Sequence, residues 1–333
     1  MFIVPSYGVA IFFCIITMLC WGSWANTQKL AEKTWRFELF YWDYVIGIVL
    51  FSIISALTLG SIGEQGRSFM DDLKQADTAN IGSAFLGGII FNAANILFSA
   101  AIALAGMAVA FPIAIGLALV LGVIVNYTAS QKGDPTYLFL GVALVMIAII
   151  INAIAYRRIS NANQKVSTKG IIISLIAGLL MSFFYRFIAA SMDLENFEQP
   201  AVGKMTPYTA VFIFSLGILA SNFIFNTILM KKPFEGAAVS YADYFKGKFK
   251  THMVGVLGGL IWGLGNSFNL IAAGKAGAAI SYGLGQGATL IAAMWGVFVW
   301  KEFKQSPSGT DGFVTAMFLF FIVGLGLIIY AGS

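Results

Sequence analysis

The chain has 333 residues, of which 59% are hydrophobic and only 11% charged, and its mean hydropathy is +0.85. A soluble domain carries about 25% charged residues, so this composition excludes an ordinary soluble protein and places the chain in a lipid bilayer. We interpret the formal net charge of +5 by where the charges lie, and we expect no nucleic-acid partner. Cys14 and Cys20 lie six residues apart on one apolar stretch, about 9 Å along a helix, which is too far for a disulfide.

Apolar stretches long enough to cross a membrane, which takes about 20 residues, follow one another along the chain. We predict ten spans: 5–25, 38–60, 80–104, 107–128, 136–156, 170–190, 208–230, 252–274, 277–299 and 312–331. The longest connections, about 191–207 and 231–251, have room for a short helix but not for a domain. Lys29 is the first basic residue, so we expect the first stretch to be a retained span and not a cleaved signal.

The segment from Leu86 to Gly116 repeats at Leu257 to Gly287, where ten of 31 aligned positions are identical at a constant offset of 171. Chance would give about 3 or 4 identities in such a composition. Each copy has two glycines near its start, an asparagine near its middle, and an Ala-Gly break before a second apolar helix. Glycine suits the left-handed residue that closes a helix, so each copy predicts a tight helical hairpin.

Five spans in each half is an odd number, so the second half must enter the membrane from the opposite side, as in many secondary transporters. We therefore predict an all-α membrane protein of ten transmembrane helices, arranged as two inverted five-helix repeats over 1–160 and 161–333. The loops after the odd-numbered spans hold 14 lysines and arginines, and the opposite loops hold 5. The positive-inside rule then places both termini on the outer side of a plasma (inner) membrane.

Polar side chains within the apolar spans are the candidates for binding, because a polar group in hydrocarbon must face a cavity or a partner. Helical spacing places them on single faces of three spans. These candidates are Asn92 and Asn95 in span 3, Trp262, Asn266 and Asn269 in span 8, and Tyr282 and Gln286 in span 9. Amides and aromatic rings around one cavity suit a neutral polar solute. The alternative is that the amides hold helices together, which Gly259-xxx-Gly263 also favours.

Candidates in spans 1 and 6 carry alternatives that the sequence leaves open. Trp24, like Trp21, either lines the site or belongs to an aromatic belt at the membrane interface. Tyr185 and Arg186 lie together in span 6, and Arg186 is the one cation well inside an apolar stretch. This arginine binds the substrate, pairs with Asp43, or extends to the outer surface beside acidic loop residues.

Proton coupling needs a group that changes its protonation, and Asp43, early in span 2, is the candidate because a buried carboxylate can hold a proton. The alternative is an aspartate at the membrane interface. His252, the sole histidine, lies at the mouth of span 8 beside Lys250, where an interface residue is favoured over a proton relay. The chain has no phosphate-binding loop, no Cys/His metal set and no serine triad, so we expect no enzyme, no cofactor and no metal site. A channel is less favoured, because no pore-loop signature is present.

The inverted repeat and the asparagine-bearing hairpins resemble the drug/metabolite transporter superfamily. Two branches of it share short motifs with this chain. Trp21-Gly-Ser-Trp24, Trp42-Asp-Tyr44, Leu57–Gly63, Gly87-Gly88 with Asn95, and Asn126-Tyr127 resemble the ureide permeases. Gly87–Asn95, Leu104–Met107 and Gly258–Trp262 resemble the bacterial rhamnose and glucose/ribose porters. The resemblance implies a central pocket lined by spans 1, 3, 4, 6, 8 and 9, and proton symport.

These observations predict a secondary active transporter that works by alternating access and imports a small neutral polar solute. Our first choice is a sugar taken up by proton symport. The alternatives are a ureide or nucleobase permease, or a drug or metabolite exporter. The expected partners are the small-molecule substrate, the coupling proton and the lipid bilayer, and the protein is expected to be a monomer or a homodimer.

Overall fold

The computed structural model describes residues 1–31, 34–159, 167–304 and 306–333. Within these ranges the chain forms fourteen α-helices and one π-helical turn, Trp295–Val299. The helices of the first half are α1 (Tyr7–Ser23), α2 (Ala25–Ala31), α3 (Phe37–Leu57), α4 (Phe69–Gln75), α5 (Thr78–Ala105), α6 (Met107–Ala129) and α7 (Pro135–Ile159). The helices of the second half are α8 (Thr168–Ala190), α9 (Pro207–Lys231), α10 (Tyr241–Phe245), α11 (Phe249–Ala276), α12 (Ala278–Gln286), α13 (Ala288–Met294) and α14 (Thr310–Tyr330).

Ten helical segments of the described chain are long and apolar enough to cross a membrane, which confirms the ten predicted spans. The largest difference is that the first span, Tyr7–Ala31, continues beyond its predicted end. Its last residues are polar, but they bond to their own helix. Asn26 donates to the Ser23 carbonyl at 3.0 Å, and the Thr27 hydroxyl donates to the Trp24 carbonyl at 2.6 Å. The polar residues therefore end the apolar stretch without ending the helix.

The faces of these helices that point away from the bundle are apolar. On α14, for example, Leu319 is 58% exposed, Ile322 62% and Val323 53%. Large aliphatic side chains exposed along a whole helix are unfavourable in water and favourable against lipid chains. The short helix expected between spans 7 and 8 is α10, and it begins with a capping box formed by Ser240 and Asp243.

Both predicted hairpins form as the sequence indicates. α5 ends at Ala105 and α6 begins at Met107, while α11 ends at Ala276 and α12 begins at Ala278. The glycines between them share one backbone conformation, with φ 77° and ψ 161° at Gly106 and φ 85° and ψ 152° at Gly277. This is not the left-handed helical conformation that we expected. It is an extended region at positive φ that only glycine adopts readily, which explains why glycine stands at both breaks.

Helix packing in one half has a counterpart in the other. A Cβ on Gly88 of α5 would lie 2.1 Å from the Phe214 carbonyl oxygen in α9, so these two backbones are in close contact. At the equivalent place in the second half, a Cβ on Gly259 of α11 would lie 2.0 Å from the Tyr44 carbonyl oxygen in α3. Such matched contacts are what a duplicated unit predicts. The opposite orientation of the halves stays a prediction, and the predicted boundary at 160–161 lies outside the described residues.

Candidate functional site

A central cavity lies where the two halves meet. Its walls come from spans 1, 3, 4, 6, 8 and 9, the set that the family resemblance implied. The lining residues are Trp21, Trp24, Phe91, Asn95, Phe98, Phe111, Ile115, Met181, Phe184, Trp262, Gln286, Ala288 and Thr289. Four of the predicted site residues are therefore brought together here, namely Trp24, Asn95, Trp262 and Gln286.

Stacked aromatic rings form one wall of this cavity. The Trp262 ring lies 4.2 Å from the Phe91 ring and 5.9 Å from the Trp21 ring, with interplanar angles of 30° and 7°. Phe91 and Trp262 occupy the same position in the sequence repeat, at the offset of 171. The wall is therefore built at the contact between the two hairpins, and its flat apolar faces suit a planar ring or the apolar face of a sugar.

Two amide side chains add hydrogen-bonding groups to the cavity. Asn95 is 2% exposed, and its Nδ2 donates to the Tyr41 hydroxyl of α3 at 3.2 Å. The side-chain amide of Gln286 bonds to no other residue in the described part of the chain, although only 4% of this residue is exposed. A glutamine amide offers two donors and one acceptor group, so Gln286 is available to a solute in the cavity.

Other predicted site residues hold helices together and do not reach the cavity. Asn92 donates to the Ser221 hydroxyl at 2.9 Å, and Asn269 donates to the Ser281 carbonyl at 2.8 Å. The Tyr282 hydroxyl donates to the carbonyls of Ala118 and Met181 at 3.2 and 3.1 Å. For these residues the structure has the helix-joining arrangement that we kept as the alternative.

Two further predicted residues are also buried away from the cavity, and a third is on the surface. Asn266 is 1% exposed, and its Oδ1 has no hydrogen-bond partner among the described residues. Tyr185 is fully buried, and its ring lies 5.3 Å from the Tyr282 ring. Arg186 is exposed beside Asp193 in a surface depression apart from the central cavity. It therefore neither lines the cavity nor pairs with Asp43.

The tyrosine pair packs beside the central cavity, because the Tyr282 ring lies 6.2 Å from the ring of the cavity residue Phe184. Along α8, Met181 and Phe184 line the cavity, whereas Arg186 lines the depression. Tyr185 lies between them and packs against Tyr282. Both rings are fully buried.

A second cavity, the vestibule, lies on the other side. Its residues are Gln28, Trp35, Arg36, Phe37, Glu38, Ala100, Ala103, Leu104, Phe234, Glu235 and Gly236. Gln28 follows Trp24 of the central cavity by one helical turn. At the rim, Arg36 bonds both oxygens of the buried Glu38 carboxylate and also the carbonyls of Glu235 and Ala237. The vestibule thus approaches the central cavity from the side of the basic loops.

Asp43 is not in the central cavity, but it is buried, with 1% of its surface exposed. Its carboxylate accepts hydrogen bonds from the Tyr244 hydroxyl at 2.6 Å, from His252 Nδ1 at 2.8 Å and from the Trp35 indole at 3.1 Å. Burial raises the pKa of the Tyr244 phenol, and the neighbouring Asp43 carboxylate raises it further. The phenol therefore stays protonated and donates a hydrogen bond to the carboxylate. Asp43 is therefore buried within the protein at the basic-loop end of its span, and its role in proton coupling stays a prediction.

The comparisons with known proteins bear on what this site does. The family model described as Ureide permease matches residues 40–169 and 156–331. The chain belongs to the ureide permease family. It is similar to Ureide permease 1 of Arabidopsis thaliana, with 24% identity over 98% of each chain. It is also similar to Ureide permease 2 of the same plant (25%, 98% of each) and to Probable ureide permease A3 of Vigna unguiculata (22%, 92% of this chain and 99% of the relative).

A solved crystal structure of a protein has the same fold, with a TM-score of 0.60, 14% identity and 96% of each chain covered. The family match and the ten apolar helices show that this permease is an integral, multi-pass membrane transporter and not an enzyme. They confirm the resemblance to ureide permeases. Membership of the wider superfamily stays a prediction.

Sequence reasoning missed Phe91 of the central cavity and the contacts that Tyr244 and His252 make with Asp43. Phe91 carries a signal that was available, because it takes the place of Trp262 in the first repeat. His252 and Tyr244 carry none, since each is about 200 residues from Asp43 in sequence and only tertiary packing brings them to it.

Proposed function

We propose that this permease carries a ureide or a nucleobase, a small planar neutral solute with N–H and C=O groups, through the central cavity. The observation that carries the proposal is the stacked wall of Phe91 and Trp262 facing the Asn95 and Gln286 amides. A planar ring gains from stacking on an aromatic face, and amides satisfy both N–H and C=O groups without adding charge.

A sugar, our first choice from sequence, becomes the second candidate. Its apolar face also fits a tryptophan ring, but the matching family and the named relatives are ureide permeases. Ureides contain the urea group, whose donors and acceptor pair with an amide side chain in the same plane. The proposed cargo therefore uses the amides and the flat wall at the same time.

The proposed mechanism is alternating access between two repeats, residues 1–160 and 161–333, with their termini outside. The vestibule approaches the cavity from the basic-loop side, while the Tyr185–Tyr282 contact is proposed to close the opposite side. This arrangement is what an inward-facing state requires, given the predicted orientation. Import, an inner-membrane location and a monomer or homodimer stay part of the proposal. Cysteine labelling from each side of oriented vesicles tests the orientation.

The test of the cargo is solute counterflow in proteoliposomes, with allantoin, uracil, glucose and rhamnose as separate solutes. Counterflow needs no coupling ion, so it reports binding and translocation alone. We expect exchange with allantoin or uracil and none with the sugars. Exchange with a sugar and none with allantoin or uracil would restore the sugar assignment.

Replacement of Gln286 tests the site itself. Gln286→Ala removes a hydrogen-bonding group worth about 0.5–1.5 kcal/mol, which raises KM about 2- to 13-fold. The matched control is Gln199→Ala, a change of the same residue type in an exposed loop. If both variants keep the KM of the unmodified protein, Gln286 does not bind the solute.

A further inference from the structure

The cluster around Asp43 is a set of titratable groups outside the central cavity. The carboxylate accepts three hydrogen bonds, one from α10 through Tyr244, one from α11 through His252, and one from Trp35 before α3. Trp35 also lines the vestibule, so the cluster borders the route to the cavity without facing the solute.

The charges around this carboxylate leave it without a permanent counter-ion. In the described ranges no lysine or arginine forms an ion pair with Asp43, and the one ion-pairing group is His252. The neighbouring cations are paired elsewhere or point outward. Arg36 pairs with Glu38, Lys29 with Glu302 and Lys246 with Asp243, and the side chains of Lys231, Lys232, Lys248 and Lys250 are exposed.

A buried carboxylate is stabilised further by a nearby positive charge, because burial removes the water that would otherwise stabilise it. Histidine supplies such a charge only when it holds a second proton, and it is the residue that gains or loses one near neutral pH. The His252 ring turns Nδ1 toward Asp43, while its side chain stays 21% exposed. Water therefore has access to the ring.

We propose that Asp43 and His252 together form a proton-binding site. A proton from water adds to Nε2 of His252 while the Nδ1–H bond to Asp43 is kept, and the net charge of the pair changes from −1 to 0. Tyr244 and Trp35 hold the carboxylate in place as donors and do not exchange the proton. The site takes one proton, and it is separate from the solute cavity.

The pair is linked to the cavity through the two helices that carry it. On α3, Tyr41 accepts the bond from Asn95, and the Tyr44 ring lies 4.8 Å from the Trp24 ring. On α11, Trp262 forms the cavity wall. Because α3 and α11 touch backbone to backbone at Gly259, a change at the pair moves both helices together. This link rests on the proposed transport function, whereas proton binding does not.

The sole histidine allows a direct test. In a protein made with 15N-labelled histidine and without a polyhistidine tag, all ring signals come from His252. We follow the 15N resonances of the ring between about pH 5 and about pH 9, without any solute. We expect a single protonation step that Asp43→Asn shifts to lower pH, because the amide keeps an acceptor oxygen but removes the negative charge. A ring that gains no proton in this range, or one that is unaffected by Asp43→Asn, overturns the proposal.

A transport assay is the second test of the proposal. Accumulation of allantoin driven by a pH gradient is compared with allantoin counterflow in His252→Gln, Asp43→Asn and the control Asp311→Asn. We expect the first two variants to lose accumulation and keep counterflow, with the double variant no worse than either. Full accumulation in His252→Gln overturns the coupling role. Failure of counterflow in the unmodified protein instead rejects the proposed cargo and leaves the titration result standing.

Discussion

The contact between α3 and α11 gives the sharpest test of the structure. A methyl group added at Gly259 would stand 2.0 Å from the Tyr44 carbonyl oxygen and 2.8 Å from the Gly47 Cα. Ordinary contacts between such atoms are about 3.5 Å or longer, so Gly259→Ala forces the two helices apart by about 1.5 Å. Overpacking of this kind costs about 1–3 kcal/mol when neighbours cannot yield, and here the neighbours are backbone atoms.

The assay is thermal unfolding of the detergent-purified protein together with allantoin counterflow. We expect Gly259→Ala to lower the unfolding midpoint and to reduce counterflow, because Tyr41 and Trp262 are carried by the two separated helices. Gly326→Ala in α14 is the matched control, since no atom outside its own helix lies within 4 Å of the added methyl group. If Gly259→Ala is as stable and as active as Gly326→Ala, the helices do not touch as described.

Three other predictions follow from individual contacts. Gly277→Ala places a side chain at φ 85°, which costs about 1–3 kcal/mol, so the unfolding midpoint falls; an unchanged midpoint contradicts the assigned backbone. Trp262→Ala removes an aromatic face of the cavity wall and raises the KM for allantoin at least tenfold, which corresponds to about 1.4 kcal/mol. Trp262→Phe keeps most of the affinity. An equal loss of affinity in both variants would reject stacking. Lys29→Gln breaks a half-exposed ion pair with Glu302, 2.7 Å long, and changes stability by less than about 1 kcal/mol in thermal or denaturant unfolding; a larger loss would show that the pair is shielded from water.

The helices were predictable because lipid imposes a simple rule. A chain that crosses hydrocarbon must satisfy its backbone bonds within each segment, so length and apolarity suffice to find the spans. The breaks at Gly106 and Gly277 were predictable for a local reason, since the residue type is fixed by the backbone angle. The continuation to Ala31 was not, because the side chains of Asn26 and Thr27 turn back onto the helix.

The site was predictable only in part, because helical spacing says which residues share a face but not which neighbour the face meets. Asn92 and Asn95 are three residues apart, yet one bonds to Ser221 of α9 and the other reaches the cavity. The environment of Asp43 depends on α10, whose position follows from loop packing and from no pattern in the sequence.

The two repeats differ at positions that the sequence makes equivalent, and this difference bears on the transport cycle. Asn95 and Phe111 of the first half line the cavity, whereas their counterparts Asn266 and Tyr282 are buried in helix contacts. Phe111 and Tyr282 differ in residue type, but Asn95 and Asn266 are the same residue in different surroundings. If the halves exchange conformations, as alternating access requires, Asn266 takes the place of Asn95, and Tyr282 leaves Tyr185 and opens that side of the cavity.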